Sequence, residues 1–279
     1  MVKSRPKFNM KRDEMYRLAV VGNPVAHSLS PLIWQTFAKD CNIDLEYNKI
    51  HSEIDGFEQV VKEFFAANNL ALNITAPFKS RAFMLANRHG IRTQGCLTAN
   101  LLVNKNGEIY ADNTDGVGLL DDLIHRGAQL RGKNILILGN GSVIHSVLSE
   151  LESQHPTRID LLMRNWDNLA TFEQRSNLVS AYDDDVCYEL IINTTPNVVS
   201  NDLFTKVKQI SADAIAYDMI YTAKQTLFLA AMEQLTPDVK QFNGIGMLIQ
   251  QAKVAFNEVF SIMPATEHLY PLLQAHFND

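Results

Sequence analysis

Short apolar runs alternate with helically spaced apolar positions along most of the chain. Leu18-Ala-Val-Val21 has the length of a strand and ends in Gly22-Asn23-Pro24, a turn signal. Pro31 to Cys41 reads as a helix, with Ser30 as N-cap and Pro31 at the first helical position, where proline's missing N–H and fixed φ do no harm. Asp44 to Ile50 alternates apolar and polar residues, as a half-buried strand does. Phe57, Val60, Val61, Phe64 and Phe65 recur at helical spacing and predict a core-facing stripe. Ala71-Leu-Asn-Ile-Thr75 predicts the next strand, and Pro77 the opening of another helix. This βαβα rhythm predicts a mostly parallel sheet covered by helices on both faces.

The rhythm restarts at Asn134, after a stretch (118–131) that reads as a linking helix. Ile135-Leu-Ile-Leu138 is a continuous apolar strand, followed by Ile159–Met163, Leu190–Asn193 and Ala214–Asp218. Two such systems predict an α/β protein of two domains, which suits 279 residues at roughly 150 per domain. There is no internal repeat or low-complexity tract.

Composition narrows the function classes. Apolar residues make up 46% and charged residues 20%, the balance of an ordinary soluble globular chain. A net charge of −6 argues against nucleic acid and anionic membrane, which reward clustered positive charge. No segment reaches the roughly 20 apolar residues of a membrane span. Cys41, Cys96 and Cys187 lie far apart, which fits reduced thiols and a cytoplasmic location. Neither they nor the scattered histidines have metal-ligand spacing, so no metal is expected. Residues 1–15 read as a polar, mostly basic tail without the apolar core of a signal peptide.

Candidate chemistry sits where strands end. Gly139-Asn140-Gly141 joins a strand to a helix, as in the start of a dinucleotide fingerprint. There the first glycine permits the turn, and the second lets backbone approach a pyrophosphate at the helix's positive end. The third position is Ile144, too bulky for the pattern, so a plain strand–helix turn is the other reading. Met163-Arg164-Asn165 ends the following strand without a carboxylate, which favours NADP over NAD if either binds; a solvated arginine is the other reading. His27-Ser28-Leu29-Ser30, Asn73 to Lys79, and Asp112-Asn-Thr-Asp115-Gly116 add hydroxyls, an amide, an ammonium and a carboxylate. Each has a plain structural reading. Together they suit a small polyhydroxylated acid and include a group able to exchange a proton.

These segments resemble the ordered motifs of shikimate dehydrogenases. Gly22-Asn-Pro-Val-Ala-His-Ser28-Leu-Ser30-Pro31 is similar to the family's opening motif, Asn73-Ile-Thr75-Ala-Pro77-Phe-Lys79 to N-V-T-x-P-x-K, and Asn113-Thr-Asp115-Gly-Val-Gly to N-T-D-x-x-G. Tyr217-Asp-Met219-Ile-Tyr221 and Gly244-Ile-Gly246-Met247 to Gln251 match later motifs. The resemblance runs from about residue 16 to the end of the chain. It implies reversible NADPH-dependent reduction of 3-dehydroshikimate to shikimate, a step towards aromatic amino acids. It places Lys79 and Asp115 on the catalytic pair, and Ser28 and Ser30 on the substrate carboxylate. Thr75, Asn100, Tyr221 and Gln251 become further substrate contacts. Gly139, Asn140, Gly141, Arg164, Asn193 and Thr194 fall on the cofactor, with Met219, Gly244 and Met247 near the nicotinamide.

The resemblance is weaker in the cofactor half. Gly139-Asn-Gly-Ser-Val-Ile-His145 stands for G-A-G-G-A-[AS]-[RK], and Asn193-Thr-Thr-Pro196 for N-A-T-S. On this reading Ile144→Ala restores close helix–strand packing and tightens NADP. The alternatives are a weakly active or non-catalytic relative that binds a shikimate-like acid, and a quinate/shikimate dehydrogenase. The expected domains are 16–117 with 243–279 for substrate and 118–242 for a Rossmann-like NADP domain, with the C-terminal helices returning to the first. A monomer or homodimer is expected.

Overall fold

A computed structural model of the chain describes residues 15–195, 202–222 and 224–277. The basic tail, apart from Met15, and Pro196 lie outside the described residues. The chain divides into two compact units, 1–118 with 249–269 and 119–248 with 270–279.

The first unit contains β1 (Tyr16–Gly22), α1 (Ser30–Asp40), β2 (Leu45–His51), α2 (Phe57–Ala66), β3 (Ala71–Ile74), α3 (Lys79–Leu85), β4 (Arg88–His89), β5 (Leu101–Lys105), β6 (Glu108–Asp112) and the start of α4 (Asp115–His125). Its sheet has the order β2-β1-β3-β5-β6-β4. β1 is buried at every position except Arg17, as an apolar run flanked by two strands should be, whereas β2 lies at the sheet edge. The pairs β1–β2, β1–β3 and β4–β6 are parallel. β5 and β6 form an antiparallel hairpin that the βαβα rhythm does not predict. Its local signal is Asn106-Gly107, with φ of 59° and 87°, the left-handed conformations that a tight hairpin turn demands. Phe57 and Phe78 stack at 4.5 Å in the core, and Trp34 and Phe37 pack on Phe256 at 5.4 and 5.5 Å.

Two helix starts differ from expectation. Ser30 is the first residue of α1 and makes no capping bond; instead Ser28 Oγ accepts the Ser30 N–H at 3.3 Å. α3 begins at Lys79, because a turn closed by Phe78 N–H to Thr75 O (3.1 Å) separates it from Pro77.

The second unit contains β7 (Asn134–Leu138), α5 (Val143–Glu152), β8 (Arg158–Leu162), α6 (Leu169–Arg175), β9 (Val179–Ala181), β10 (Tyr188–Asn193), β11 (Ile210–Asp218), α7 (Leu227–Leu235) and β12 (Lys240–Asn243). Its strands pair in parallel in the order β12-β11-β10-β7-β8-β9. Ile135 and Ile137 join one apolar cluster, Leu136 and Leu138 another, so β7 is apolar throughout because both its faces are covered.

The stretch 243–279 is split between the units. α8 (Ile245–Phe260) starts in the second unit and belongs to the first from Ile249, while α9 (Leu269–His276) belongs to the second from Tyr270. The anchor is Asp122, fully buried, which accepts from the hydroxyls of Tyr270 (2.9 Å) and Tyr217 (2.8 Å) and pairs with Arg126 at 3.4 Å. A buried carboxylate needs such partners, and this set holds the last helix to the second unit. Among the described residues, no helix is long and apolar enough to cross a membrane.

Candidate active site

Topology gathers the first unit's polar residues at one sheet edge. β1 and β3 are parallel, so Gly22 and Ile74 end at the same side. β5 runs the opposite way and β6 reverses again, so Asn73 pairs with Leu101 and Leu101 with Asp112. The residues just beyond these ends are Thr75, Asn100 and Asp115. A side chain on Gly22 would collide with Thr75, so only hydrogen is accommodated there. Lys79, opening α3, is fixed beside this edge by its carbonyl, which accepts Ala99 N–H at 2.9 Å.

Lys79 Nζ donates to Asp115 Oδ2 at 2.7 Å, with side chains 20% and 7% exposed. The lysine therefore remains reachable from one side while the carboxylate is enclosed. Asn100 Nδ2 lies 3.0 Å from Asp115 Oδ1, 2.9 Å from Thr114 Oγ1 and 3.2 Å from Gln251 Oε1. Asp115 is held from behind too: its N–H donates to Asn113 Oδ1 (3.0 Å), and Asn113 Nδ2 donates to Thr98 Oγ1 (2.8 Å). Asn113 N–H in turn donates to Asp112 Oδ1 at 2.8 Å. Burial pushes the pKa of Asp112 up against the opposing pull of its partner Arg92. Gln251 reaches the group because α4 and α8 touch at Gly118, where a Cβ would lie 2.5 Å from Gln251 Cβ.

Ser28 Oγ donates to Ser30 Oγ at 3.2 Å. Tyr47, which none of the motifs includes, and Asn73 link this pair to the rest. Tyr47 shares a hydrogen bond with Ser30 and donates to Asn73 Oδ1 at 2.7 Å, and Asn73 Nδ2 donates to Asn100 O at 3.4 Å. Burial pushes the Tyr47 pKa well up, so this phenol is a fixed donor, not a proton carrier. The signal for Tyr47 was its place on the inward phase of β2, where a buried hydroxyl must find a partner. The first unit thus brings together Ser28, Ser30, Thr75, Lys79, Asn100, Asp115 and Gln251.

The remaining predicted residues belong to the second unit. Gly139 has φ of +114°, and a Cβ on it would lie 2.5 Å from Thr194 Oγ1. A Cβ on Gly141 would meet nothing within 4 Å, so backbone is open to an approaching group there. The first turn of α5 has no side-chain cap, which leaves amide donors at its positive end. These features fit a dinucleotide pyrophosphate. Asn140 Nδ2 donates to Asn165 O (3.3 Å), tying the glycine turn to the loop after β8 that carries Arg164. Asn193 and Thr194 spend their side chains internally: Asn193 Nδ2 on Asp218 (3.1 Å), Asn193 Oδ1 on Thr195, and Thr194 Oγ1 on Leu138 O (2.8 Å). Met219 N–H donates to Asn193 O (3.0 Å), a Cβ on Gly244 would collide with Met219 O, and Met247 N–H donates to Tyr217 OH (3.0 Å). Tyr221 is half-buried against Phe277, ring centroids 6.4 Å apart, and burial raises its pKa. Ile144 is fully buried among the apolar residues of the second unit. Among the described residues, no His, Cys, Asp and Glu cluster could hold a metal ion.

A family profile described as the shikimate dehydrogenase substrate binding domain matches residues 20–102. The chain is 34% identical over 266 residues to the shikimate dehydrogenase (NADP(+)) of Legionella pneumophila (strain Lens), covering 93% of this chain and 98% of that one. Its fold is similar to that of the Ael1 enzyme of Pseudomonas putida (TM-score 0.83, 32% identity, 92% of this chain and 98% of that one). It is likewise similar to that of the shikimate 5-dehydrogenase of Thermus thermophilus in complex with shikimate (TM-score 0.84, 23% identity, 95% and 100%).

Proposed function

The chain belongs to the shikimate dehydrogenase family, and on that premise we propose how its own residues divide the work. It is an NADP-dependent oxidoreductase that interconverts 3-dehydroshikimate and shikimate. The observation that carries the mechanism is the enclosed Lys79–Asp115 pair at 2.7 Å, braced by Asn100 and Gln251. Ser28 and Ser30 bind the substrate carboxylate through their hydroxyls. Thr75, Asn100, Tyr221 and Gln251 hold its hydroxyls.

NADPH, when bound, supplies the hydride. Lys79 handles the rest of the reduction. Negative charge grows on the keto oxygen, and the ammonium stabilises it and donates the proton; in oxidation the free amine takes the proton from the alcohol. Asp115 orients Lys79 through Oδ2 and accepts from a substrate hydroxyl. Gly139, Asn140 and Gly141 would hold the pyrophosphate. Asn193 and Thr194 would contact the cofactor through backbone, since their side chains are engaged. Met219, Gly244 and Met247 would flank the nicotinamide, and Arg164 would meet the 2′-phosphate. The unpaired thiols Cys41, Cys96 and Cys187 support a reducing, cytoplasmic setting.

The test of the whole reading is NADPH fluorescence on binding, followed by initial rates with shikimate and NADP⁺, then NAD⁺. Saturable turnover with shikimate and a preference for NADP⁺ are expected. Shikimate binding without turnover at saturating NADP⁺ would leave only a binding protein. Arg164→Ala should raise KM for NADP⁺ by about tenfold, the worth of one charge-assisted bond, and leave that for NAD⁺ nearly unchanged. Equal effects on both would remove Arg164 from the 2′-phosphate.

A further inference from the structure

The second unit has a cavity of ≈ 430 Å³ at the carboxyl end of β8, within the size range of small-molecule sites. Arg164 and Trp166 line it from the loop after β8, Tyr182 and Asp184 from the segment after β9, and Lys206 and Lys208 from the segment before β11. Arg164 was readable from the sequence as a partner for a 2′-phosphate. The two lysines, more than forty residues further on, were not.

The lysine segment is held in place. The Tyr182 hydroxyl donates to Lys206 O at 3.1 Å and accepts Lys208 N–H at 2.9 Å. Between them Val207 is extended (φ −66°, ψ 126°), only 2% exposed, and packed in the same apolar cluster as Leu162 of β8. Lys206, which ends a short helical turn, and Lys208 are both exposed on either side of it, so both side chains leave the core while their backbone is pinned to it. Gln209 Nε2 extends the attachment by donating to Asp184 O at 3.0 Å.

Charge then selects the ligand. Arg164, Lys206 and Lys208 face the cavity with Asp184 as the opposing acid. A ribose phosphate monoester carries about −1.5 to −2 at neutral pH, more than one guanidinium neutralises. We propose that Lys206 and Lys208, with Arg164, form the cationic lining that binds the 2′-phosphate of NADP(H) and sets the preference over NAD(H). The Trp166 ring offers the adenine a stacking face, and Asp184 limits the affinity. This inference rests on the reading of the chain as an NADP-dependent enzyme.

Calorimetry of the full-length protein with adenosine 2′,5′-bisphosphate and with 5′-AMP separates the two. Lys206→Gln and Lys208→Gln should each weaken bisphosphate binding roughly threefold to fivefold, and together about tenfold, with 5′-AMP unchanged, as partly exposed charge-assisted bonds predict. Asp184→Asn should tighten the bisphosphate. The loss in the double variant should shrink at high salt, where the parent's own advantage is screened. A double variant that binds the bisphosphate like the parent, or that loses both ligands equally, overturns the lysine assignment while the cofactor reading stands. A parent that binds neither the bisphosphate nor NADPH overturns both.

Discussion

Lys79→Ala should lower kcat by about 10²–10⁴, the usual contribution of a positioned acid–base group. The rest of the site survives in the variant. Asp115 keeps its bond from Asn100 at 3.0 Å and its backbone tie to Asn113, so the carboxylate stays in place. On the proposed assignment, Ser28, Ser30, Thr75 and Gln251 would still hold the acid and its hydroxyls. Shikimate affinity, measured by calorimetry or quenching, should therefore change far less than kcat. Asp115→Asn should behave differently, lowering turnover and binding together, because the carboxylate holds the ammonium at 2.7 Å and, on the proposed assignment, would also accept from a substrate hydroxyl. A Lys79→Ala enzyme that turns over within a few-fold of the parent would move proton transfer to another group. Loss of shikimate binding in proportion to kcat would make Lys79 a binding residue.

Much of the scaffold was legible because its signal is local. β7 reads directly from Ile135 to Leu138, since covering both faces demands an unbroken apolar run. The polar clusters stand where parallel strands end, which the order of elements already implies. The hairpin of β5 and β6 departs from the βαβα rhythm, and its one local signature is the turn chemistry of Asn106-Gly107. The support of the site was hidden for a different reason. Tyr47 sits within a strand whose alternation explains it fully, and only pairing β2 and β3 on either side of β1 brings it to Asn73 at 2.7 Å. Gln251 was reachable only through the resemblance: α8 is apolar on most sides, and its approach to Asn100 depends on the missing Cβ of Gly118.

Ile144 is where pattern and structure part most clearly, and it yields the largest expected stability effect. As a sequence feature it occupies the small-residue position of a glycine fingerprint, which suggests that alanine would repair the cofactor site. In the fold it is fully buried, with Val147, Leu148 and Leu151 of α5 and Ile135, Ile137, Ile159 and Leu161 of the sheet in the same cluster. The turn that leads into the helix is set by Gly139 and Gly141 instead, the proposed pyrophosphate contacts, and Ile144 contributes its N–H, which donates to Gly141 O at 3.0 Å. Alanine keeps that backbone bond and removes three carbons from a packed core. Ile144→Ala should therefore destabilise the protein by about 2–5 kcal/mol, the range for truncating a buried isoleucine, and lower the unfolding midpoint in urea at unchanged slope. NADPH affinity of the folded fraction, measured well below the transition, should stay within a few-fold of the parent. A variant as stable as the parent with tighter NADPH binding would mean that Ile144 props the glycine turn open, and that the fingerprint reading was the better guide.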